Sequence, residues 1–95
     1  MVNPNAVYII KLGNRPSEEF NPEKLHNSII ATCLGVRTPE GQAEDIAKRV
    51  TIAVMKWCET RPEITSSDIR RQTLRHLRPF HQDAADLYEQ IKAII

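Results

Sequence analysis

Apolar residues recur along this chain with two different periods, and the change of period divides it into elements. Val7, Tyr8, Ile9 and Ile10 form a β-branched and aromatic run that ends at Lys11, the pattern of a short strand. Gly13-Asn14-Arg15-Pro16-Ser17 is dense in turn residues, and Glu18 to Phe20 reads as a brief return strand, so a hairpin is expected over about 7–20. From there the period becomes helical. Asn21-Pro22 is a helix start, with asparagine to cap exposed N–H groups and proline where its missing N–H costs nothing. Leu25, Ile29, Ile30 and Cys33 follow at helical spacing over about 22–34, and Gly35 is expected just past the end in a left-handed conformation.

Thr38 to Gly41 reads as a linker. The second helix, about 42–59, has the clearest periodicity: Ala43, Ile46, Ala47, Val50, Ala53, Val54 and Trp57 make one face. Glu44, Asp45, Lys48, Arg49 and Lys56 lie largely opposite, and Arg61-Pro62 closes the segment. Ile64-Thr65 is expected as a third short strand. Ser66 or Ser67 then caps a third helix over about 67–77, with Asp68 in its first turn and Ile69, Thr73 and Leu77 inward. Pro79 stops it. The fourth helix is expected over about 82–95, with Ala84, Leu87, Tyr88, Ile91 and Ile95 on its inner face. The elements amount to a mainly helical α+β chain, a four-helix bundle capped by a two- or three-stranded β-sheet too small to stand alone.

Composition narrows the picture further. Ninety-five residues suit one domain with one core, and 41% apolar content argues against disorder. Thirteen basic residues against twelve acidic ones make autonomous nucleic-acid binding unexpected, because phosphate backbones select a more basic surface. Cys33 and Cys58 read as buried thiols of a cytoplasmic chain. His26, His76 and His81 lack the spacing of a metal site or a triad and read as surface or helix-end residues, and no metal is expected. Trp57 and Tyr88 read as core. Arg70, Arg71, Arg75 and Arg78 make a basic run that is either a solvated face or a macromolecular contact. No nucleophile–base pair, phosphate-cradling glycine loop or apolar span of about 20 residues is present, so neither an enzyme nor a membrane protein is expected.

One constellation points to chemistry. Lys11 ends a strand, and Lys24 lies in the first turn of a helix, where the dipole disfavours a cation. An anion bound at that end would remove the conflict and gain N–H donors. On spacing alone, the two also read as solvated surface lysines.

The order strand–Lys11–turn–Glu18-Glu19-Phe20-Asn21-Pro22-Glu23-Lys24-Leu25, closing on Ser28-Ile29-Ile30 and Cys33, resembles the start of the ATP-cone. That domain is the allosteric nucleotide-binding module of many ribonucleotide reductases and of the repressor of their genes. The resemblance runs from about Val7 to the end of the chain. It implies the bundle-plus-sheet fold and ATP or dATP as an allosteric ligand, with room for magnesium beside the triphosphate. By position, Val7 and Ile9 would line the base pocket and Lys11 and Lys24 would meet phosphates. Glu18 and Asn21 would help place sugar and base, while Ser66 and Arg70 would reach the nucleotide from the third helix. The family's usual arginine after the strand lysine is Leu12 here, and its Asp-Gly turn is the longer Gly13–Ser17, from which Arg15 would supply a replacement cation. The implied function is regulatory: nucleotide binding that controls self-association or a partner of the ribonucleotide-reductase type. The alternatives are a nucleotide-responsive transcriptional regulator acting with a DNA-binding partner, and an ATP-cone fold that has lost nucleotide binding and serves as a protein-interaction module.

Overall fold

Asn21 does start the first helix. The structure, a computed structural model, describes residues 8–10, 18–61 and 63–94. In it Asn21 is extended, and its side-chain oxygen accepts the backbone N–H of Glu23 at 3.0 Å and of Lys24 at 3.4 Å. Helix α1, Pro22–Gly35, follows with proline in its first turn. Its C-terminus departs from expectation. Gly35 is the last helical residue, and the left-handed residue is Arg37, at φ 63°. Arg37 N–H bonds to Leu34 O and Thr38 N–H to Cys33 O, both at 3.0 Å, which is the Schellman closure with Arg37 in the usual glycine position. Gly35 has a different use: a Cβ there would lie 3.0 Å from Leu87 Cδ2, so its absence lets α1 approach the last helix closely.

Helix α2, Glu40–Cys58, begins two residues earlier than its pattern indicated and takes in Gly41. Pro39 stands at its N-cap with no side-chain bond, and its fixed φ of −56° directs the chain into the helix. Strand β3, Glu63–Thr65, then delivers the chain to α3, Ser66–Leu77. The cap of α3 is Thr65, rather than Ser66 or Ser67. Asp68 N–H donates to Thr65 Oγ1 at 3.1 Å while Asp68 Oδ2 accepts Thr65 N–H at 3.0 Å, a reciprocal capping box. The hydrogen bonds from Thr65 hold the Asp68 carboxyl below the usual carboxylate range.

That cap makes a directional prediction. Thr65→Ala is expected to lower stability by about 1 kcal/mol, read from denaturant unfolding at neutral pH. Because the folded-state pKa of Asp68 is depressed, its contribution is complete above the unfolded-state pKa and disappears as pH falls through the folded-state one. Asp68→Asn is therefore expected to be less stable than the parent at neutral pH, by a difference that shrinks on acidification. A gap that widened in acid would contradict this assignment.

Helix α4, Gln82–Ile94, is entered through His81. Ala84 N–H donates to His81 Nδ1 at 3.4 Å, so in the neutral ring Nε2 carries the proton and donates to Thr38 Oγ1 at 2.8 Å. This side-chain link ties the α1–α2 connection to the α3–α4 connection.

The four helices pack in a ring, α1 and α3 each lying against both α2 and α4. Leu25, Ile29 and Cys33 of α1 meet Ala43, Ile46, Ala47, Val50 and Val54 of α2, with Ile69 and Leu77 of α3 and Ala84, Ala85 and Tyr88 of α4 completing the core. Cys33 and Cys58 are free and buried, as expected, and burial pushes both thiols up in pKa and away from reactivity. Trp57 is only partly buried, and the Arg61 guanidinium lies 4.4 Å from its ring centroid. Ile91, expected inward, is 40% exposed. Ile95 lies outside the described residues.

At one end, the backbone of β1, Tyr8–Ile10, pairs on both sides. Strand β2, Glu18–Glu19, runs antiparallel to it, with Tyr8 opposite Glu19 and Ile9 opposite Glu18. Strand β3 runs parallel, with Tyr8 opposite Glu63, Ile9 opposite Ile64 and Ile10 opposite Thr65. The fold is thus mainly helical, with the start of α1 and the start of α3 each led in by a strand beside β1.

Candidate functional site

The ladder fixes where two helix N-termini emerge. Strand β2 hands the chain to α1 near the beginning of β1, and β3 hands it to α3 near the end of β1. Strand spacing and rise put Glu19 and Thr65 on the order of 12 Å apart, so both helices present their positive ends to the same end of the bundle.

Of the residues expected to meet nucleotide, Val7, Lys11 and Arg15 lie outside the described residues, as do Leu12 and the 13–17 turn. The backbones of Ile9 and Glu18 face each other across β1 and β2. Asn21 and Lys24 stand at the start of α1, both exposed. Ser66 opens α3 and is exposed, and Arg70 lies one turn further on, half-buried.

Tyr88 relates the two helices. This α4 residue is 4% exposed, and its phenol, with one proton to donate, lies beside the hydroxyls of Ser28 of α1 and Thr73 of α3, with the Arg70 charge nearby. Burial raises the phenol's pKa above its ordinary value, the dominant effect over these contacts. Ser28 Oγ also donates to Leu25 O at 2.8 Å, and Thr73 Oγ1 to Ile69 O at 2.7 Å, which holds both hydroxyls in place. Lys24 lies one turn N-terminal to Ser28 and Arg70 one turn N-terminal to Thr73. Tyr88 thereby sets the two cation-bearing turns on either side of one buried anchor. Neither Lys24 nor Arg70 makes an ion pair among the described residues.

The backbone donors differ from expectation. Asn21 takes the N–H groups of Glu23 and Lys24 with its side chain and that of Leu25 with its own carbonyl at 3.3 Å. Pro22 has none to offer. The first turn of α1 therefore has no spare N–H, and an anion there would be held by the Lys24 ammonium. The same bonds commit Asn21 Oδ1 to capping, which leaves its amide nitrogen for other contacts. At α3, the Asp68 carboxylate accepts the Thr65 N–H and places a negative charge beside the N-terminus, and Arg70 is a cation one turn further along.

Arg70 also borders an open groove of about 270 Å³, lined with Ser67, Arg71, Leu74 and Glu89, of which the sequence pointed only to Arg71, as one member of the basic run. The i, i+3, i+4 spacing of Ser67, Arg70, Arg71 and Leu74 was the available signal for one wall; Glu89 comes from α4 and has no sequence cue. Much of the arginine run is internally neutralised: Arg71 lies 3.7 Å from Asp68, and Arg78 reaches Asp86 at 2.8 Å and Glu89 at 3.0 Å. The acidic partners hold Arg78 firmly protonated, its pKa raised above the ordinary value. A run so paired favours the solvated-face reading over a phosphate-backbone stripe.

Among the described residues, no group of three or more His, Cys, Asp or Glu side chains could hold a metal ion, and no helix is long and apolar enough to cross a membrane. No protein-family model, curated protein or solved structure matches the chain.

Proposed function

We propose that this chain is a regulatory domain that binds an adenine nucleotide, ATP or dATP, at the sheet-side end of the bundle and so controls its association with itself or with a partner of the ribonucleotide-reductase type. The observation that carries the reading is Lys24. It is an exposed cation in the first turn of α1, opposed by the helix dipole and without an acidic partner among the described residues. A triphosphate would reverse that unfavourable placement. The order of residues from Val7 to Cys33 supports the ATP-cone assignment, and with it a β-sheet that caps the bundle as a nucleotide lid. Regulation would follow from differential affinity, since a nucleotide shifts an assembly equilibrium only as far as it prefers one state.

A second reading, an ATP-cone fold that acts through protein contacts without nucleotide, is favoured by the satisfied first-turn amides of α1 and by the Asp68 carboxylate at α3. Titration calorimetry separates the two. Under the first reading, ATP or dATP gives a saturable heat, and Lys24→Ala weakens binding by about tenfold or more, the loss of one charge-assisted contact. Absence of heat with either nucleotide, or equal affinity in Lys24→Ala, would reject the first reading.

A further inference from the structure

Helix α2 has a second ordered stripe, on the face turned away from the core. Lys48, Ile52, Met55 and Glu59 follow at spacings of four, three and four residues, the a/d spacing of a coiled-coil seam. Glu59 is the C-cap but keeps helical angles, φ −53° and ψ −35°, so the stripe continues through it. All four residues are exposed. Ile52 is 47% and Met55 43% exposed on a helix whose other apolar face is fully used by Ala43, Ala47, Val50 and Val54. Neither Lys48 nor Glu59 makes an ion pair among the described residues, whereas the neighbouring Asp45 and Arg49 pair with each other at 3.0 Å to one side.

We infer that this stripe is a self-association surface on which a second copy of the chain docks, α2 against α2 in antiparallel orientation. The choice of occupant rests on the order of the charges. About a twofold axis passing between residues 53 and 54, Ile52 faces Met55 of the second copy and Lys48 faces its Glu59, and the same contacts recur by symmetry. Four apolar side chains are then enclosed between two opposite-charge pairs, with each a position across from a d position, as antiparallel helix packing requires. A parallel arrangement would set lysine against lysine and glutamate against glutamate. The stripe is thus complementary to its own reverse.

Its length, about 17 Å at helical rise, makes the contact a small one and the dimer correspondingly weak. The surface holds none of the residues assigned to nucleotide, and the inference stands or falls without that ligand.

Sedimentation equilibrium of the full chain in nucleotide-free buffer, up to about 1 mM, reads the association directly. The parent is expected to approach dimer mass over that range. Ile52→Glu and Lys48→Glu should each raise the dissociation constant by about tenfold or more. The double variant Lys48→Glu/Glu59→Lys restores the opposite-charge pairs and should recover dimerisation to near the parent's. Circular dichroism confirms that each variant keeps its helices. A parent that stays monomeric throughout, single variants that associate like the parent, or a charge swap that recovers nothing would each overturn the inference. Binding of an unrelated helix while the parent remains monomeric would overturn it as well.

Discussion

Leu77→Ala is expected to lower the unfolding free energy by about 3–5 kcal/mol, the largest effect of any single change considered for this chain. Leu77 ends α3 with no exposed surface and is among the largest fully buried side chains. Truncation removes its transfer free energy and leaves a cavity between helices that cannot fully collapse. Gly35 already brings α1 within a side-chain contact of α4, and the rigid Thr38–His81 link holds the connections at that end. For a domain of this size, such a loss should move the thermal midpoint down by more than about 10 °C. Leu74→Ala, at a half-buried position one turn earlier, serves as the control and should cost clearly less. Equal costs at the two positions would mean that Leu77 is not the packing centre its burial indicates.

Thr51→Val should move stability the other way. Thr51 is 6% exposed on the inner side of α2, and its hydroxyl has no hydrogen-bond partner among the described residues. Thr32 and Thr73, also buried, each return their hydroxyl proton to a carbonyl four residues back, to Ser28 and Ile69. Thr51 makes no such bond, so its oxygen has left water without compensation. Valine keeps the shape and removes the polar atom. The expected gain is about 1–2 kcal/mol, read as a higher denaturant midpoint with an unchanged slope. A loss of stability would show that the hydroxyl has a partner in solution.

The helices were legible because each carries an apolar stripe at helical period. Ala43 through Val54 is the plainest, and those positions are the buried face of α2. Helix ends were less so. Glycine is the ordinary occupant of a left-handed C-terminal position, which pointed to Gly35, but the closure onto Cys33 and Leu34 puts that conformation at Arg37. Three consecutive hydroxyl residues, Thr65, Ser66 and Ser67, could each cap α3. The carboxylate three positions beyond Thr65 was the cue that decides among them. Ile91 shows the limit of periodicity, since a position one turn past Leu87 lies on the apolar side of α4 yet is 40% exposed.

The candidate site was half legible. Lys24 stood out because a helix dipole opposes it, whereas Arg70 was reached only through the resemblance to the ATP-cone. What joins them, Tyr88 between Ser28 and Thr73, depends on three helices meeting and leaves no local pattern. The use of the α1 amides by Asn21 was also hidden. The same residue type serves equally as a cap or as a ligand-contacting amide, and only the distances to Glu23 and Lys24 distinguish the two.

The parallel pairing of β1 with β3 has a consequence for the order of assembly. Tyr8 and Glu63 stand 55 positions apart, with α1 and α2 wholly inside the loop they close. Closing a flexible loop of that length costs about 3.5 kcal/mol of chain entropy, more than three residues of ladder can offset unaided. The helical hairpin of α1 and α2 must therefore form first and bring the ends together. By the same logic, the ladder is the first part released when the hairpin loosens. Amide hydrogen exchange would see it as a separate, weaker unit of protection, and whatever binds at that end would draw its ordering energy from the bundle beneath.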